Sequence, residues 1–147
     1  MQGGLDSMVT GEIGDGIILV ARVFLATLFL IFGCRKLADF SGTVSQMVQD
    51  KVPTPRLAAG IALFIELPVG FAVAIGAFTR PSALVFFFYT LGTSLIEHRY
   101  WTKARGQRLE TLENFYKNLS IMGGFALLFV TGAGRYSIDS LIDIGAR

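Results

Sequence analysis

The sequence predicts an all-α integral membrane protein: an antiparallel four-helix bundle with a short interfacial helix in loop 1. Three observations lead there. Hydrophobic residues make up 52% of the chain and charged residues only 16%, whereas a soluble domain carries about 25% charge. The apolar residues fall into runs close to the roughly 20 residues that cross a bilayer, with the charges gathered between them. One of those runs, Leu57–Phe78, has a single acid, Glu66, near its middle. An acid at that depth costs a few kcal/mol even on the mildest insertion scale, so it marks a site by default.

The 147 residues suffice for one domain. Residues 1–16 read as a polar, Gly-rich N-terminal tail with Asp6, Glu12 and Asp15. They contain no Lys or Arg, so the positive n-region of a signal peptide is missing and the first apolar run is expected to be retained. Residues 17–139 read as the membrane domain, with helices at about 17–37, 57–78, 82–100 and 114–131, and residues 140–147 as a C-terminal tail.

In the first helix Arg22, Ala26, Phe29, Gly33 and Lys36 follow one another at steps of four and three, which places them on one packing seam. Loop 1 carries Phe40, Val44, Met47 and Val48 at helical spacing among polar residues, the pattern of a helix lying on the membrane surface. Pro53 and Pro55 end it. In the second helix Ala59, Ala62, Glu66, Gly70, Ala74 and Ala77 form a stripe of small residues centred on the acid. Small residues let helix backbones approach closely in lipid. Pro68 removes a backbone hydrogen bond there and favours a kink. The turn Phe78–Pro81 is so short that the second and third helices must be antiparallel neighbours.

The third helix is rich in phenylalanine and ends in Tyr100 and Trp101, residues typical of the membrane interface. Thr102–Glu113 reads as a charged loop, and the fourth helix opens with Asn114 and Asn118 on one face. Loops 1 and 3 hold most of the Lys and Arg (Arg35, Lys36, Lys51, Arg56, Arg99, Lys103, Arg105, Arg108, Lys117), against Arg80, Arg135 and Arg147 opposite. That bias puts loops 1 and 3 in the cytoplasm and both termini outside.

Composition also excludes chemistry. The net charge of +2, with no basic helix, argues against a nucleic-acid partner. Cys34 is the one cysteine and His98 the one histidine. An internal disulfide, a CxxC pair, a four-cysteine metal centre and bis-histidine haem ligation are therefore beyond this chain alone. No metal site is expected. Arg22, Lys36, Glu66, His98 and Asn118 cannot all face lipid, and a carboxylate at mid-membrane depth needs a cation or water to stay ionised. In the bland alternative Glu66 pairs with Arg22, Lys36 or Asn118 and holds the helices together.

Four segments resemble the DoxX family of small four-helix membrane proteins. They are ARVFLATLFLIFGCRKLADF in the first helix, the Glu66 segment, GAFTRPSAL at the following turn, and NLSIMGGFALLFVTGAGRYSID near the end. The family's recurrent polar positions map onto Arg22, Gly33, Lys36, Glu66, Thr79, Arg80, His98, Asn118 and Arg135. The resemblance implies membrane redox work, including quinone reduction coupled to sulfur-compound oxidation and thiol-redox complexes.

The expectation is a subunit of a redox or quinone-linked complex in the cell (inner) membrane, with a polar pocket around Glu66. Glu66 and His98 are the expected proton-exchanging groups, and Arg22, Lys36, Asn118, Tyr100 and Trp101 the ligand-binding ones. The chain has no electron carrier of its own, so the expected cofactor is a bound quinone. The expected partners are the lipid bilayer and other membrane or peripheral subunits. Two other functions fit the residues: a scaffold without chemistry, and a small-solute or proton transporter.

Overall fold

The first apolar run belongs to a helix that begins well before it. The computed structural model describes residues 2–97, 99–102 and 105–142, the side chains of residues 2–10, 105 and 107 excepted. Helix α1 covers Gln2–Ala38, so residues 2–16, expected as a tail, are helical. Glycines disfavour that helix by about 1 kcal/mol each. Two contacts tie its later turns to the C-terminal segment: Asp15 accepts from the Arg135 backbone N–H (3.0 Å) and Glu12 meets the Arg135 guanidinium (3.4 Å). Within Gly11–Ala38 an 18-residue stretch reaches a mean hydropathy of 2.6, apolar enough to cross a bilayer.

Helix α2 (Phe40–Gln49) is the expected short helix of loop 1. Asp39 caps it, accepting from the Gly42 N–H at 2.8 Å. Met47 anchors it against Ala59 and Ala62 of α3 (Pro55–Phe64), which opens with its proline at the first position. At Pro68 the helix widens into a π turn over Ile65–Val69, and the Gly70 N–H donates to the Ile65 carbonyl, five residues back. Proline has no N–H to give and crowds the carbonyl four residues earlier, so the wider turn relieves both. Helix α4 (Gly70–Ile75) resumes α geometry and ends at Gly76 in the left-handed conformation, φ 71°. Within Pro55–Ile75 an 18-residue stretch reaches a mean hydropathy of 2.1, a second segment apolar enough to span. In α4 the core position is Val73, not the expected Ala74; the π turn between α3 and α4 breaks the regular helical spacing on which that expectation rested.

Helix α5 (Thr79–Glu97) starts earlier than expected, with Pro81 in the first turn where no N–H is needed. His98 lies outside the described residues. After a 3₁₀ turn, Tyr100–Thr102, helix α6 runs from Arg105 to Thr131. Most of the segment expected as a charged loop is therefore helix. Its Arg, Gln, Leu and Glu are strong helix formers, and charge alone does not break a helix that projects beyond the apolar layer. A last short helix, α7 (Ile138–Leu141), follows an N-cap at Ser137.

One core joins α1, α4, α5 and α6. Ala26 and Phe29 meet Val73, Ala83 and Phe86, with Phe125 and Leu128 from α6. Phe86 stacks on Phe125 (centroids 5.0 Å, planes 13° apart), and Phe29 leans on both. Such ring pairs add about 0.5–1.5 kcal/mol beyond burial. The α1 seam foreseen from residue spacing is the buried one, from Arg22 through Ala26 and Phe29 to Gly33. Lipid-facing positions such as Phe24, Phe88 and Leu127 are exposed on the outside.

At one end of this core sits a polar knot. Arg22 is only 1% exposed. It donates through Nε to the Ala74 carbonyl (3.2 Å), through Nη1 to Ala133 and through Nη2 to Tyr136 (2.7 Å). Beside it Asp139, 3% exposed, accepts from the backbone N–H groups of Phe78 and Thr79 at 2.7 and 2.8 Å. A carboxylate from the C-terminal segment thus caps the first turn of α5, where the helix dipole favours negative charge. Gly76 makes this possible: a Cβ there would lie 2.5 Å from both Arg22 Nη1 and Ser137 Cβ. Gly76→Ala is expected to destabilise the protein by more than about 1 kcal/mol, because φ is positive and the space is filled. Gly60→Ala in α3, whose Cβ meets nothing within 4 Å, serves as the control in thermal unfolding in detergent and is expected to stabilise by up to about 1 kcal/mol.

Candidate functional site

The opposite end of the core carries the candidate site. The π turn brings Glu66 against α1, and Gly33 is what admits it. A Cβ on Gly33 would lie 2.8 Å from Leu67 Cδ2 and 3.0 Å from Glu66 Cβ. The absent side chain lets the two backbones close up, placing Glu66 one turn below Lys36. Lys36 Nζ donates to both carboxylate oxygens at 2.8 Å. The Glu66 side chain is 4% exposed and that of Lys36 22%, so the cation sits above the acid, towards the opening. Lys36 also lies 5.6 Å from the centroid of the Phe32 ring, a further attraction for the ammonium. From α5, the Tyr89 hydroxyl donates to Glu66 Oε1 at 2.6 Å.

These groups form the floor of a cavity of about 640 Å³ enclosed by α1, α2, α5 and α6. Phe29 and Phe32 give it an apolar side; Thr90, Glu97 and Asn118 give it a polar one. Asn118 is held in place by donating to Ser94 Oγ (2.9 Å), which in turn donates to the Thr90 carbonyl (2.7 Å). The Thr90 hydroxyl is buried, and no group among the described residues hydrogen-bonds it. Buried hydroxyls nearly always have a partner, so a residue of the cavity wall whose hydroxyl lacks one is unusual.

Of the expected site residues, the structure brings Lys36, Glu66 and Asn118 to one cavity. Arg22 is elsewhere: fourteen residues of helix separate it from Lys36 by about 21 Å, and it is engaged in the knot with Ala74, Ala133 and Tyr136. Tyr100 and Trp101, expected at the ligand wall, instead pack edge-on against Phe115 at 5.6 and 6.1 Å, because the 3₁₀ turn points them along α6. The expectation for His98 lies outside the described residues.

Tyr89 is hidden in the sequence at the end of the Phe86–Tyr89 aromatic run. A usable signal is there: Tyr89, Thr93 and Glu97 recur every four residues along one face of the third helix. Chemically, the arrangement offers a lysine with one N–H to spare beyond the two given to Glu66, a phenol sharing that carboxylate, and a nearby hydroxyl. Such a set binds a carbonyl or hydroxyl oxygen and can move a proton to it.

Apolar spans and a helical core define the class, an all-α membrane protein, here with a buried ion pair set beneath a polar cavity. The chain belongs to the DoxX family, whose model, described as DoxX, matches residues 17–99 and so takes in Lys36, Glu66 and Tyr89. It is similar to Inner membrane protein YphA of Escherichia coli (strain K12), 44% identical over 123 residues that cover 84% of this chain and 88% of YphA. It is also similar to Inner membrane protein YqjF of the same organism, 33% identical over 126 residues, 86% of this chain and 92% of YqjF. No solved structure matches the chain.

Proposed function

We propose that this protein is the quinone-binding membrane subunit of a redox complex in the cell inner membrane, and that Lys36, Glu66 and Tyr89 bind the quinone head and exchange protons with it. The observation that carries this reading is the Lys36–Glu66–Tyr89 arrangement at the floor of a 640 Å³ cavity, a volume within the roughly 300–1,000 Å³ usual for small-molecule sites. Lys36 donates to one quinone oxygen and the Thr90 hydroxyl approaches from the α5 side. Reduction of the quinone takes two electrons from a partner protein and two protons passed along the Glu66–Lys36–Tyr89 set, giving the hydroquinone. The long helices make four crossings, with the cavity opening on the cytoplasmic side and the termini outside. The names of the two Escherichia coli relatives support the inner-membrane placement.

A transporter is disfavoured by the Arg22–Asp139 knot, which packs the opposite end of the helices with protein hydrogen bonds. The test is purification in nanodiscs followed by mass spectrometry of everything retained. Wild type is expected to carry a quinone, and Glu66→Gln to retain at least about tenfold less. Stoichiometric protein partners without any small molecule, unchanged by the substitution, would establish the scaffold function instead.

A further inference from the structure

We infer that the ligand reaches this site sideways from the bilayer, its hydrocarbon tail lying in a second, apolar groove that shares a wall with the polar cavity. The inference rests on the quinone-site reading and adds where the tail goes. The groove encloses about 250 Å³ between α2–α3 and α5. Val52, Ala58, Ile61, Phe88, Gly92 and Ile96 line it. Ile61 is 51% and Phe88 63% exposed, so the groove opens on the flank that faces lipid.

Continuity with the polar cavity identifies the occupant. Met47, Tyr89, Thr93 and Glu97 border both spaces. Tyr89 stands at the junction: its ring packs edge-on against Phe29 and Phe86, while its hydroxyl is tied to Glu66. A polar head on Lys36 and an apolar tail past Tyr89 match the two spaces in chemistry and in order. Because lipid tails are as apolar as the groove, the groove contributes little hydrophobic affinity. Its contribution is shape, selecting molecules whose tail departs from the head at this junction. Tyr89 thus contacts an amphipathic ligand at the point where head and tail meet.

The structure supplies a blocking variant that leaves the fold alone. A Cβ on Gly92 meets nothing within 4 Å, so Gly92→Leu fills the groove and, in mid-helix, favours the helix. The probe is a benzoquinone bearing a diazirine near the start of an alkyl tail, photolysed with the full chain in nanodiscs. Adducts are expected on the α3 and α5 residues of the groove, competed by unlabelled tailed quinone, and reduced about tenfold in both Gly92→Leu and Glu66→Gln. A tailless benzoquinone should bind Gly92→Leu as it binds wild type.

Adducts spread over outward residues such as Phe24 and Leu127, with Gly92→Leu inert and tailless quinone still dependent on Glu66, overturn the tail groove and leave the quinone site standing. Groove adducts that survive Glu66→Gln overturn the link between tail and head. Absence of any Glu66-dependent binding overturns the quinone site and this inference with it.

Discussion

Replacing Arg22 by methionine is expected to destabilise the protein by about 2–4 kcal/mol. Three backbone carbonyls from two distant segments, at Ala74, Ala133 and Tyr136, depend on its guanidinium. Three interhelical hydrogen bonds at the membrane-protein average of about 0.6 kcal/mol give the low end; the high end stays just below three bonds from a charged donor at the weakest value of their soluble-protein range, about 1.5 kcal/mol each. The loss also removes a positive charge that Asp139 feels. Arg22→Lys is expected to recover less than half, because an ammonium cannot span the carbonyls that the planar fork reaches together. The midpoint of thermal unfolding in detergent measures the loss, and protease cleavage near residues 132–137 reports release of the C-terminal segment. An unchanged midpoint with the segment still protected would mean that other contacts hold the knot.

That knot shows where sequence reading stops. The α1 seam was legible because helical spacing alone places Arg22 and Lys36 on one line. Which partner each takes was not, because Arg22 binds backbone carbonyls, and a carbonyl leaves no mark on residue type. Asp139 was equally hidden: it sits in a polar stretch near the end of the chain, and its role as a cap for α5 depends on a meeting across 60 residues. Glu66 stood out because an acid is costly amid apolar residues. Its pairing with Lys36 was one of three options, and only the close approach at Gly33 and the widened turn at Pro68 select among them. The first turns of α6 were obscured for a different reason. Charge marks what the bilayer core rejects, but it carries no information on whether the rejected segment is coil or helix.

The second large effect separates a binding site from structural glue. Lys36→Met is expected to destabilise the protein by about 1–3 kcal/mol, since it leaves the Glu66 carboxylate buried without its cation. This is below the roughly 3–5 kcal/mol typical of breaking a fully buried pair, because Lys36 is partly exposed to the cavity. The double variant Lys36→Met/Glu66→Gln removes both charges, and Tyr89 can still donate to the amide oxygen. Replacing a buried ion pair with neutral groups is often neutral or stabilising, so the double variant is expected to unfold at or above the wild-type midpoint. Quinone retention is expected to be lost in both the single and the double variants. Stability restored while binding stays lost would mean that the pair is kept for what it holds, not for the fold. A double variant less stable than Lys36→Met alone would point the other way, to an ion pair whose net contribution is to bind α1 to the π turn. The double-mutant cycle on unfolding midpoints, run beside mass-spectrometric quinone retention in the same nanodisc preparations, distinguishes the two.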